Sequence, residues 1–305
     1  MILRNSDNFA LEKKYLKFLK KKETKSRPII DKLGKYNSFY LPLTNWIYNQ
    51  YKKDKTIKII GLSGGQGAGK STITSIIKFI LKEKYDLNLC VFSIDDFYKT
   101  KKERIEMSKK LHPLFLTRGV PGTHDVRLIN KTLESLKSNN FKPVNIPKFD
   151  KATDDRMKKK RWNKVKEKPS IIIFEGWCVG ARHQNNRTLK KPINVIEKKY
   201  DISLEWRKRI NDYLKHDYKR LFKKIDKLIY LKAPNFDHIF KWRLHQEEKL
   251  KLTSKNKNIM SKQQIKRFIM FYERITKQMM KDYSKTSDLT VFLDNKHRSK
   301  KIKFY

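Results

Sequence analysis

A glycine-rich run followed by lysine and serine is the segment of the chain with the clearest chemistry. It matches the phosphate-binding pattern GxxxxGKS. Glycines let the backbone turn tightly and point its N–H groups at phosphate oxygens, and the following helix start adds positive potential. Lys70 would reach the β and γ phosphates of ATP, and Ser71 would bind Mg²⁺. The expected ATP contacts are Gly64, Gly65, Gln66, Gly67, Ala68, Gly69, Lys70, Ser71 and Thr72.

The neighbours of this run favour phosphate binding over a chance match to the pattern. A β-branched strand pattern ends at Gly61, and a helical pattern with isoleucines on one face runs from about Lys70 to Lys84. A plain glycine-rich turn would not need a strand before it and a helix after it in that order.

Two acidic residues, Asp95 and Asp96, end the next strand pattern within Ser93 to Tyr98 (SIDDFY). One of them could accept a proton from an attacking hydroxyl or orient magnesium. The alternative is a solvated strand end or a helix cap. Ligands bind at the carboxyl ends of parallel strands, so a position beside the glycine-rich run favours the catalytic interpretation.

A third acidic residue, Glu175, directly follows the apolar run Ile171 to Phe174. An acid at the end of such a strand is the Walker-B arrangement, which holds Mg²⁺ directly or through water. An acid after one apolar run is weak by itself. The assignment of Glu175 as a metal-binding acid is strengthened because the glycine-rich run and Asp95 predict the same kind of site.

Several arginines lie in donor-rich loops. Arg118, Arg156 and Arg182 could each grip a carboxylate bidentately, and His124 follows Arg118 in the same loop. Surface ion pairing is the alternative for any one of these arginines. Arg243 lies in a helical pattern after the fourth strand, where it could close over the phosphates or simply be solvated.

The elements that must position these residues alternate between strands and helices. Strand patterns end at Gly61 and cover Leu89 to Ile94, Ser170 to Phe174, Lys227 to Leu231 and Leu289 to Leu293. Helical patterns cover Leu204 to Lys224 and about Phe236 to Lys251. The alternation predicts an α/β fold with a mostly parallel sheet covered on both faces. The polar segments 99–125 and 147–168 would lie over the strand ends.

The chain of 305 residues is long enough for a sizeable core and divides into a helical extension, residues 1–52, and a kinase domain, residues 53–305. No apolar stretch approaches the roughly 20 residues that span a bilayer, and the first residues lack the apolar region of a signal peptide. Cys90 and Cys178 lie in or just after strand patterns and are expected to be reduced and structural, with a catalytic thiol as the alternative. These features predict a cytoplasmic protein without membrane partners.

The formal charge of +43 is the most unusual global property. Nucleic-acid recognition would need a stripe or cluster of basic residues, preferably with aromatics for base stacking. The lysines instead occur along the whole chain, and the abundance of Lys, Ile and Asn fits an AT-rich coding sequence. We therefore expect nonspecific attraction of anions but no specific nucleic-acid partner.

The motifs together resemble D-glycerate 3-kinase and its bacterial relatives. The matching segments are Gly61 to Thr72, Ser93 to Tyr98, His112 to Val126 (HPLFLTRGVPGTHDV), Pro147 to Arg156 (PKFDKATDDR), Phe174 to Arg182 (FEGWCVGAR), Leu231 to Phe236 (LKAPNF), Trp242 to Leu250 (WRLHQEEKL) and Phe271 to Thr276 (FYERIT). The loop RGVPGTHD and the segment FDKATDDR are nearer the bacterial branch than the plant enzymes. That family belongs with phosphoribulokinase, uridine kinase and pantothenate kinase in one P-loop superfamily.

The resemblance implies a Rossmann-like P-loop fold with a mobile lid helix. It also implies residue roles: Asp95, which matches the acid in uridine kinase's QDSFY segment, as general base, Glu175 as organiser of magnesium, and Arg243 as a lid residue. The predicted metal ligands are Ser71 and Glu175, and the catalytic set is Lys70, Asp95, Glu175 and Arg243. The predicted substrate contacts are Asp95, Tyr98, Arg118, His124, Arg156 and Arg182.

The sequence thus predicts a cytosolic enzyme that uses ATP and Mg²⁺ to phosphorylate D-glycerate. One alternative is a kinase for another small alcohol, such as a nucleoside, pantothenate or a sugar phosphate. The alternative from another class is a nucleotide-gated RNA-binding protein without kinase activity. A pure binder needs no catalytic base, so the presence of both Asp95 and Glu175 argues against the latter. Oligomeric state is left open.

Overall fold

A six-stranded, mostly parallel sheet forms the centre of the protein. The computed structural model describes residues 3–22, 31–253 and 260–305. The strands in these residues are β1 (Lys58–Gly64), β2 (Leu89–Ser93), β3 (Val144–Ile146), β4 (Phe149–Asp150), β5 (Asp155–Arg156), β6 (Asn163–Val165), β7 (Ile171–Gly176), β8 (Lys227–Lys232), β9 (Leu289–Leu293) and β10 (Ser299–Phe304). The central sheet has the order β10-β9-β8-β1-β7-β2, and only β10 runs antiparallel to its neighbour.

Helices cover both faces of this sheet. The α-helices of the described residues are α1 (Leu3–Lys22), α2 (Lys32–Lys35), α3 (Leu41–Lys52), α4 (Lys70–Tyr85), α5 (Lys101–Lys110), α6 (Val126–Lys137), α7 (Asn186–Lys190), α8 (Val195–Tyr200), α9 (Glu205–Tyr213), α10 (Lys219–Phe222), α11 (Phe236–Thr253) and α12 (Lys262–Thr286). Short 3₁₀ turns occupy Ile94–Phe97, Pro113–Leu116 and Lys159–Arg161, and π-helical turns occupy Tyr36–Tyr40 and Leu214–Tyr218. None of these helices is long and apolar enough to cross a membrane.

The two faces of the sheet contribute to two separate apolar cores, which explains the continuous apolar runs of its strands. Along β7, Ile171 and Ile173 face the core shared with α4, whereas Ile172 and Phe174 face the core shared with α6 and α9. Successive side chains of a strand alternate between faces, so a strand buried on both sides is apolar at consecutive positions. The predicted parallel sheet with helices on both faces is confirmed.

The N-terminal helices belong to the core shared with α4. Tyr15 of α1 and Ile47 of α3 are buried with Ile77 of α4, and the rings of Tyr15 and Tyr36 lie 4.7 Å apart. The predicted helical character of residues 1–52 is found in α1 to α3, while residues 1–2 and 23–30 lie outside the described residues. The division into an extension and a kinase domain stays a prediction.

The element boundaries differ from the sequence predictions mainly at strand ends. The first strand continues beyond Gly61 to Gly64, and the segment 147–168, predicted as loop-rich, contains β4, β5 and β6. The predicted helix Leu204 to Lys224 is α9 and α10 joined by the π-helical turn. Cys90 and Cys178 are both buried and free, as predicted for structural thiols.

A buried ion-pair network joins α8, α9 and α12. The Arg207 guanidinium donates through Nε to Asp201 Oδ2 at 2.6 Å, and Arg274 of α12 donates through Nε to Glu197 Oε1 at 2.7 Å. Asp201 has no exposed surface and also accepts the backbone N–H of Trp206 at 2.9 Å. Buried charges are tolerated only when they are paired in this way.

Removal of the Asp201 carboxylate should therefore be costly. We expect Asp201→Ala to lower the free energy of unfolding by about 3–5 kcal/mol, because it removes the nearest carboxylate from the buried Arg207 charge. The matched control is Asp217→Ala, which breaks an exposed pair with Arg220 and should cost less than about 1 kcal/mol. Urea unfolding followed by circular dichroism measures both. Equal losses in the two variants would contradict a structural role for the buried network.

Candidate active site

The carboxyl ends of β1, β7 and β2 lie side by side and bring the sequence-predicted groups together. In the register of the sheet, Glu175 pairs with Leu62 of β1 and with Ser93 of β2. The glycine-rich loop follows β1 and the Ser93 to Tyr98 segment follows β2, so Glu175 lies between them. This is the edge at which open parallel sheets bind their ligands.

The glycine-rich loop has the backbone conformation that its sequence predicts. Gly67 and Gly69 have φ values of 77° and 85°, in the left-handed region that glycine adopts without strain. A Cβ on Gly67 would lie 2.8 Å from the Cβ of Trp242, so α11 packs directly on the loop. The Lys70 ammonium is held inside the loop by the carbonyls of Gly64 at 2.8 Å and Gly65 at 3.2 Å.

Ser71 and Glu175 form a pair of oxygen ligands suited to magnesium. Ser71 Oγ donates to Glu175 Oε1 at 3.3 Å, and Glu175 Oε2 is buried with no hydrogen-bond partner among the described residues. Burial raises the pKa of Glu175, and the neighbouring Lys70 opposes that rise. An unpaired buried carboxylate oxygen fits a hard cation, which prefers oxygen ligands. No cluster of three or more His, Cys, Asp or Glu in the described residues offers a metal site independent of phosphate.

Asp95 and Asp96 lie in different environments. Burial by itself would raise the pKa of Asp95, but the positive charge of Lys151 and the hydrogen bond from Tyr98 lower it, so the carboxylate is ionised at neutral pH. The Tyr98 hydroxyl donates to Asp95 Oδ1 at 2.7 Å, and Lys151 Nζ lies 3.4 Å from Oδ2. Asp96 instead accepts the backbone N–H of Ser93 at 3.0 Å, and burial raises its pKa to about 6. Asp95 therefore has the protonation state of a general base, and Asp96 serves as a helix cap.

The loop from Arg118 to Asp125 is held in place by buried polar groups of three other elements. The Tyr272 hydroxyl donates to the Arg118 carbonyl at 3.1 Å, and Trp177 Nε1 donates to the Gly119 carbonyl at 3.0 Å. The Gly122 amide donates to the Tyr218 hydroxyl at 3.0 Å. These buried bonds give the loop one conformation.

The loop also pairs with the segment that carries Asp95. Tyr98 and His124 form a backbone bridge, and their rings stack with centroids 4.8 Å apart. Asp95, Tyr98, Arg118 and His124, all predicted as substrate contacts, thus belong to one neighbourhood.

The predicted arginines have different partners. Arg118 pairs with Asp154 and lies over the Phe149 ring. The Arg156 guanidinium donates through Nε and Nη2 to the Tyr98 carbonyl at 3.0 and 2.8 Å, so much of its bonding capacity is used within the protein.

Arg182 and Arg243 lie in other surroundings. Arg182 is exposed and donates to the Lys285 carbonyl at 3.4 Å, at the end of α12. Arg243 of α11 pairs with Glu247 at 2.5 Å, and Glu247 Oε1 accepts the Met260 amide at 2.9 Å. The charges of Arg118 and Arg243 both act on the Tyr272 phenol, which places Arg243 near the substrate loop.

Three residues of this neighbourhood were missed by reasoning from the sequence. Arg104 is fully buried and donates to the Leu116 carbonyl at 2.8 Å, and Asp154 bridges Arg104 and Arg118. Lys151 reaches Asp95 from the β4–β5 turn. Arg104 and Lys151 sit in lysine-rich segments that read as solvated surface, so only the three-dimensional structure distinguishes them.

A second missed feature is a cavity of about 570 Å³ between α11 and the β9–β10 turn. Trp242 of α11 and His297 of the β9–β10 turn line it, with their rings 4.1 Å apart, and Lys241 adds a positive charge. Trp242 also contacts Gly67 of the loop. Trp242 therefore links the cavity to the predicted phosphate loop, and the His297 ring beside it could contact a flat base.

The fold and this site define a P-loop phosphotransferase, and comparisons with known proteins agree. Residues 59–239 match the model of the Phosphoribulokinase / Uridine kinase family. The chain belongs to this family and is an ATP-dependent phosphotransferase with an alcohol group as acceptor.

Three similar proteins are informative. The uncharacterized kinase mug58 of Schizosaccharomyces pombe is 34% identical over 231 residues, 73% of this chain and 78% of that protein. The chloroplastic D-glycerate 3-kinase of Arabidopsis thaliana is 28% identical over 68% of this chain and 47% of its own length. The structure of D-glycerate 3-kinase from Cryptococcus neoformans superposes with a TM-score of 0.75 at 23% identity, covering 88% of this chain and 99% of that one. These relatives are fungal and plant proteins, and the expected nearness to a bacterial branch stays a prediction.

The burial of Glu175 predicts how the stability of the folded protein changes with pH. The folded-state pKa of Glu175 is raised by burial, so its charged form costs folding free energy at neutral pH, and this cost vanishes below the unfolded-state pKa. Without nucleotide, Glu175→Gln should melt at or above the wild-type temperature at about pH 7.5, and the advantage should shrink toward about pH 4. Thermal melts across this range measure the effect. A Gln variant that is less stable at neutral pH and equal at low pH would contradict the account.

Proposed function

We propose that this enzyme transfers the γ-phosphoryl group of ATP to a hydroxyl of D-glycerate, forming 3-phosphoglycerate and ADP. The observation that carries the proposal is the meeting of Lys70, Glu175 and Asp95 at three adjacent strand ends beside a loop with Arg118 and His124. Phosphate, metal, base and carboxylate partners are thereby available in one crevice. The D-glycerate 3-kinases among its relatives favour this acceptor.

In the proposed reaction Asp95 is the general base. The substrate hydroxyl oxygen attacks the γ-phosphorus, the bond from that phosphorus to the β,γ-bridging oxygen breaks, and ADP leaves with the electron pair. The hydroxyl proton passes to Asp95, which is ionised and partly solvent-accessible. Tyr98 holds Oδ1 of Asp95, so the carboxylate has a defined direction.

Charge on the transferred group is stabilised by Lys70 of the loop and Arg243 of α11. Lys70 is already oriented by two loop carbonyls, and Glu247 orients Arg243. Preorganised cations of this kind need no rearrangement as charge develops. Ser71 and Glu175 would hold Mg²⁺, which when bound neutralises phosphate charge.

The glycerate carboxylate would be bound by Arg118, with Arg156 and Arg182 as further candidates. Arg118 is anchored through Asp154 and Phe149, which leaves a fixed guanidinium edge beside the Asp95 segment. His124 and Tyr98 would contact the remaining oxygens of the substrate. The purine base of ATP would lie against the surface formed by Trp242 and His297. A cytosolic location stays a prediction.

The test of the proposal is a panel of acceptors. ADP release is measured with purified protein, ATP and Mg²⁺, separately with D-glycerate, uridine, pantothenate and ribulose 5-phosphate. Release with D-glycerate and formation of 3-phosphoglycerate supports the proposal. Turnover of another alcohol with no turnover of D-glycerate would keep the kinase and reject the substrate.

Replacement of the base should reduce turnover far more than binding. We expect Asp95→Asn to lower kcat by about 10²- to 10⁴-fold, the range for loss of a positioned general base, with little change in the KM for ATP. Asp96→Asn is the neighbouring control, since Asp96 is a helix cap. Steady-state kinetics of both variants measure this. Equal losses, or an Asp95→Asn enzyme at the wild-type rate, would remove the assignment.

Loss of Arg118, the proposed partner of the substrate carboxylate, should raise the KM for the acceptor. We expect Arg118→Met to raise the KM for D-glycerate about tenfold or more, because a charge-assisted bidentate pair is lost. The KM for ATP should change little. Arg182→Met is the comparison, and a larger effect there than at Arg118 would move the carboxylate site to Arg182.

A further inference from the structure

His124 carries a buried ring nitrogen with no partner in the described structure. The residue is 2% exposed, and its ring stacks on Tyr98, whose hydroxyl binds Asp95. Nδ1 lies 2.6 Å from the Tyr218 hydroxyl, whereas Nε2 is buried without a hydrogen-bond partner among the described residues. A buried polar atom left in this way costs free energy unless a ligand completes it.

The hydrogen bonds of the Tyr218 hydroxyl indicate which tautomer His124 adopts. Burial raises the pKa of the Tyr218 phenol well above its ordinary value, so the hydroxyl keeps its proton. The phenol oxygen accepts the Gly122 amide at 3.0 Å and also interacts with the His124 amide. Because the phenol oxygen accepts the Gly122 amide, we infer that the hydroxyl directs its own proton at Nδ1. Nδ1 is then the acceptor, and the proton of the neutral imidazole is on Nε2.

The ring is neutral at physiological pH. Burial lowers the pKa of His124 to about 4, the carboxylate of Asp95 opposes this shift, and the ammonium of Lys99 adds to it. The aromatic neighbours Tyr98 and Tyr218 both keep their protons. A neutral ring adds no positive charge beside Asp95.

We propose that Tyr218 is a positioning residue that fixes His124 as the Nε2–H tautomer, and that this N–H donates a hydrogen bond to an oxygen of the acceptor substrate. The proposal rests on the proposed kinase function and adds a specificity element to the same site. A neutral N–H donates to a hydroxyl, carbonyl or carboxylate oxygen and disfavours a substrate that places a second donor at that position. Tyr218 contacts Nδ1 and not Nε2, so it acts on the substrate through the His124 ring, while its bond from the Gly122 amide helps to hold the loop.

The first test reads the tautomer directly in the wild-type protein. In protein labelled with ¹⁵N-histidine, two-dimensional ¹H–¹⁵N spectra distinguish protonated from unprotonated ring nitrogens, and the signal lost in His124→Gln assigns the residue. We expect unprotonated Nδ1 and protonated Nε2 at neutral pH. A proton on Nδ1, or a doubly protonated ring, would overturn the proposal. Because no acceptor is needed, this result is independent of which alcohol the enzyme phosphorylates.

The second test separates positioning from folding. Tyr218→Phe removes the hydroxyl and should raise the KM for the acceptor roughly tenfold, leave kcat and the KM for ATP nearly unchanged, and shift the His124 spectrum toward a tautomer mixture. The matched control is Tyr213→Phe, whose ring lies against Gly122 but whose hydroxyl has no hydrogen-bond partner in the described part of the chain. It should match wild type in all three readouts.

Other outcomes have definite meanings. A Tyr218→Phe enzyme with wild-type KM and an unchanged His124 spectrum would contradict the positioning role. His124→Gln, whose amide N–H can replace Nε2–H, should keep a lower acceptor KM than His124→Phe, and equal KM values would overturn the substrate contact. If the tautomer is as proposed but D-glycerate is not turned over, the substrate assignment fails and the tautomer assignment stands.

Discussion

The backbone pairing of β7 between β1 and β2 is the constraint on which the rest of the site depends. It sets Glu175 opposite Leu62 on one side and Ser93 on the other, so the glycine-rich loop, the metal-binding acid and the base segment leave the sheet at one edge. Both faces of β7 are filled by apolar side chains. A slip of one residue would exchange the two faces and turn Glu175 away from Ser71. Burial of the strand therefore fixes the chemistry at its end.

The acidic residues at these strand ends differ in pKa because their surroundings differ. Lys151 and Tyr98 keep Asp95 ionised, while burial raises the pKa values of Asp96 and Glu175. Groups of one chemical type thus acquire separate protonation behaviour through their surroundings. The surroundings also determine the groups available to the substrate. A buried loop, anchored by tyrosine and tryptophan side chains, presents one arginine and a neutral histidine. The net charge of +43 is not needed for this local arrangement, although it favours encounter with anionic substrates.

Much of the fold was predictable from the sequence because its signals are local. The phosphate loop, five parallel strands and helix α4 follow from glycine spacing and from runs of β-branched residues bounded by turns. Long-range polar contacts were not predictable. Arg156 reads as a free carboxylate ligand but bonds the Tyr98 carbonyl, and Arg104 reads as surface but is fully buried. Tyr218 lies in a lysine-rich helical pattern that gives no sign of its contact with the loop. Such roles depend on which distant backbone groups lack partners, and a linear pattern does not encode this.

The most direct test of the account is a crystal structure of the enzyme with Mg²⁺, a non-hydrolysable ATP analogue and D-glycerate. We expect phosphates in the loop formed by residues 64–72, the metal at Ser71 and Glu175, and a substrate hydroxyl within hydrogen-bond distance of Asp95. The carboxylate and a second oxygen should contact Arg118 and His124 Nε2. D-glycerate bound away from Asp95, or a metal that contacts neither Ser71 nor Glu175, would contradict it.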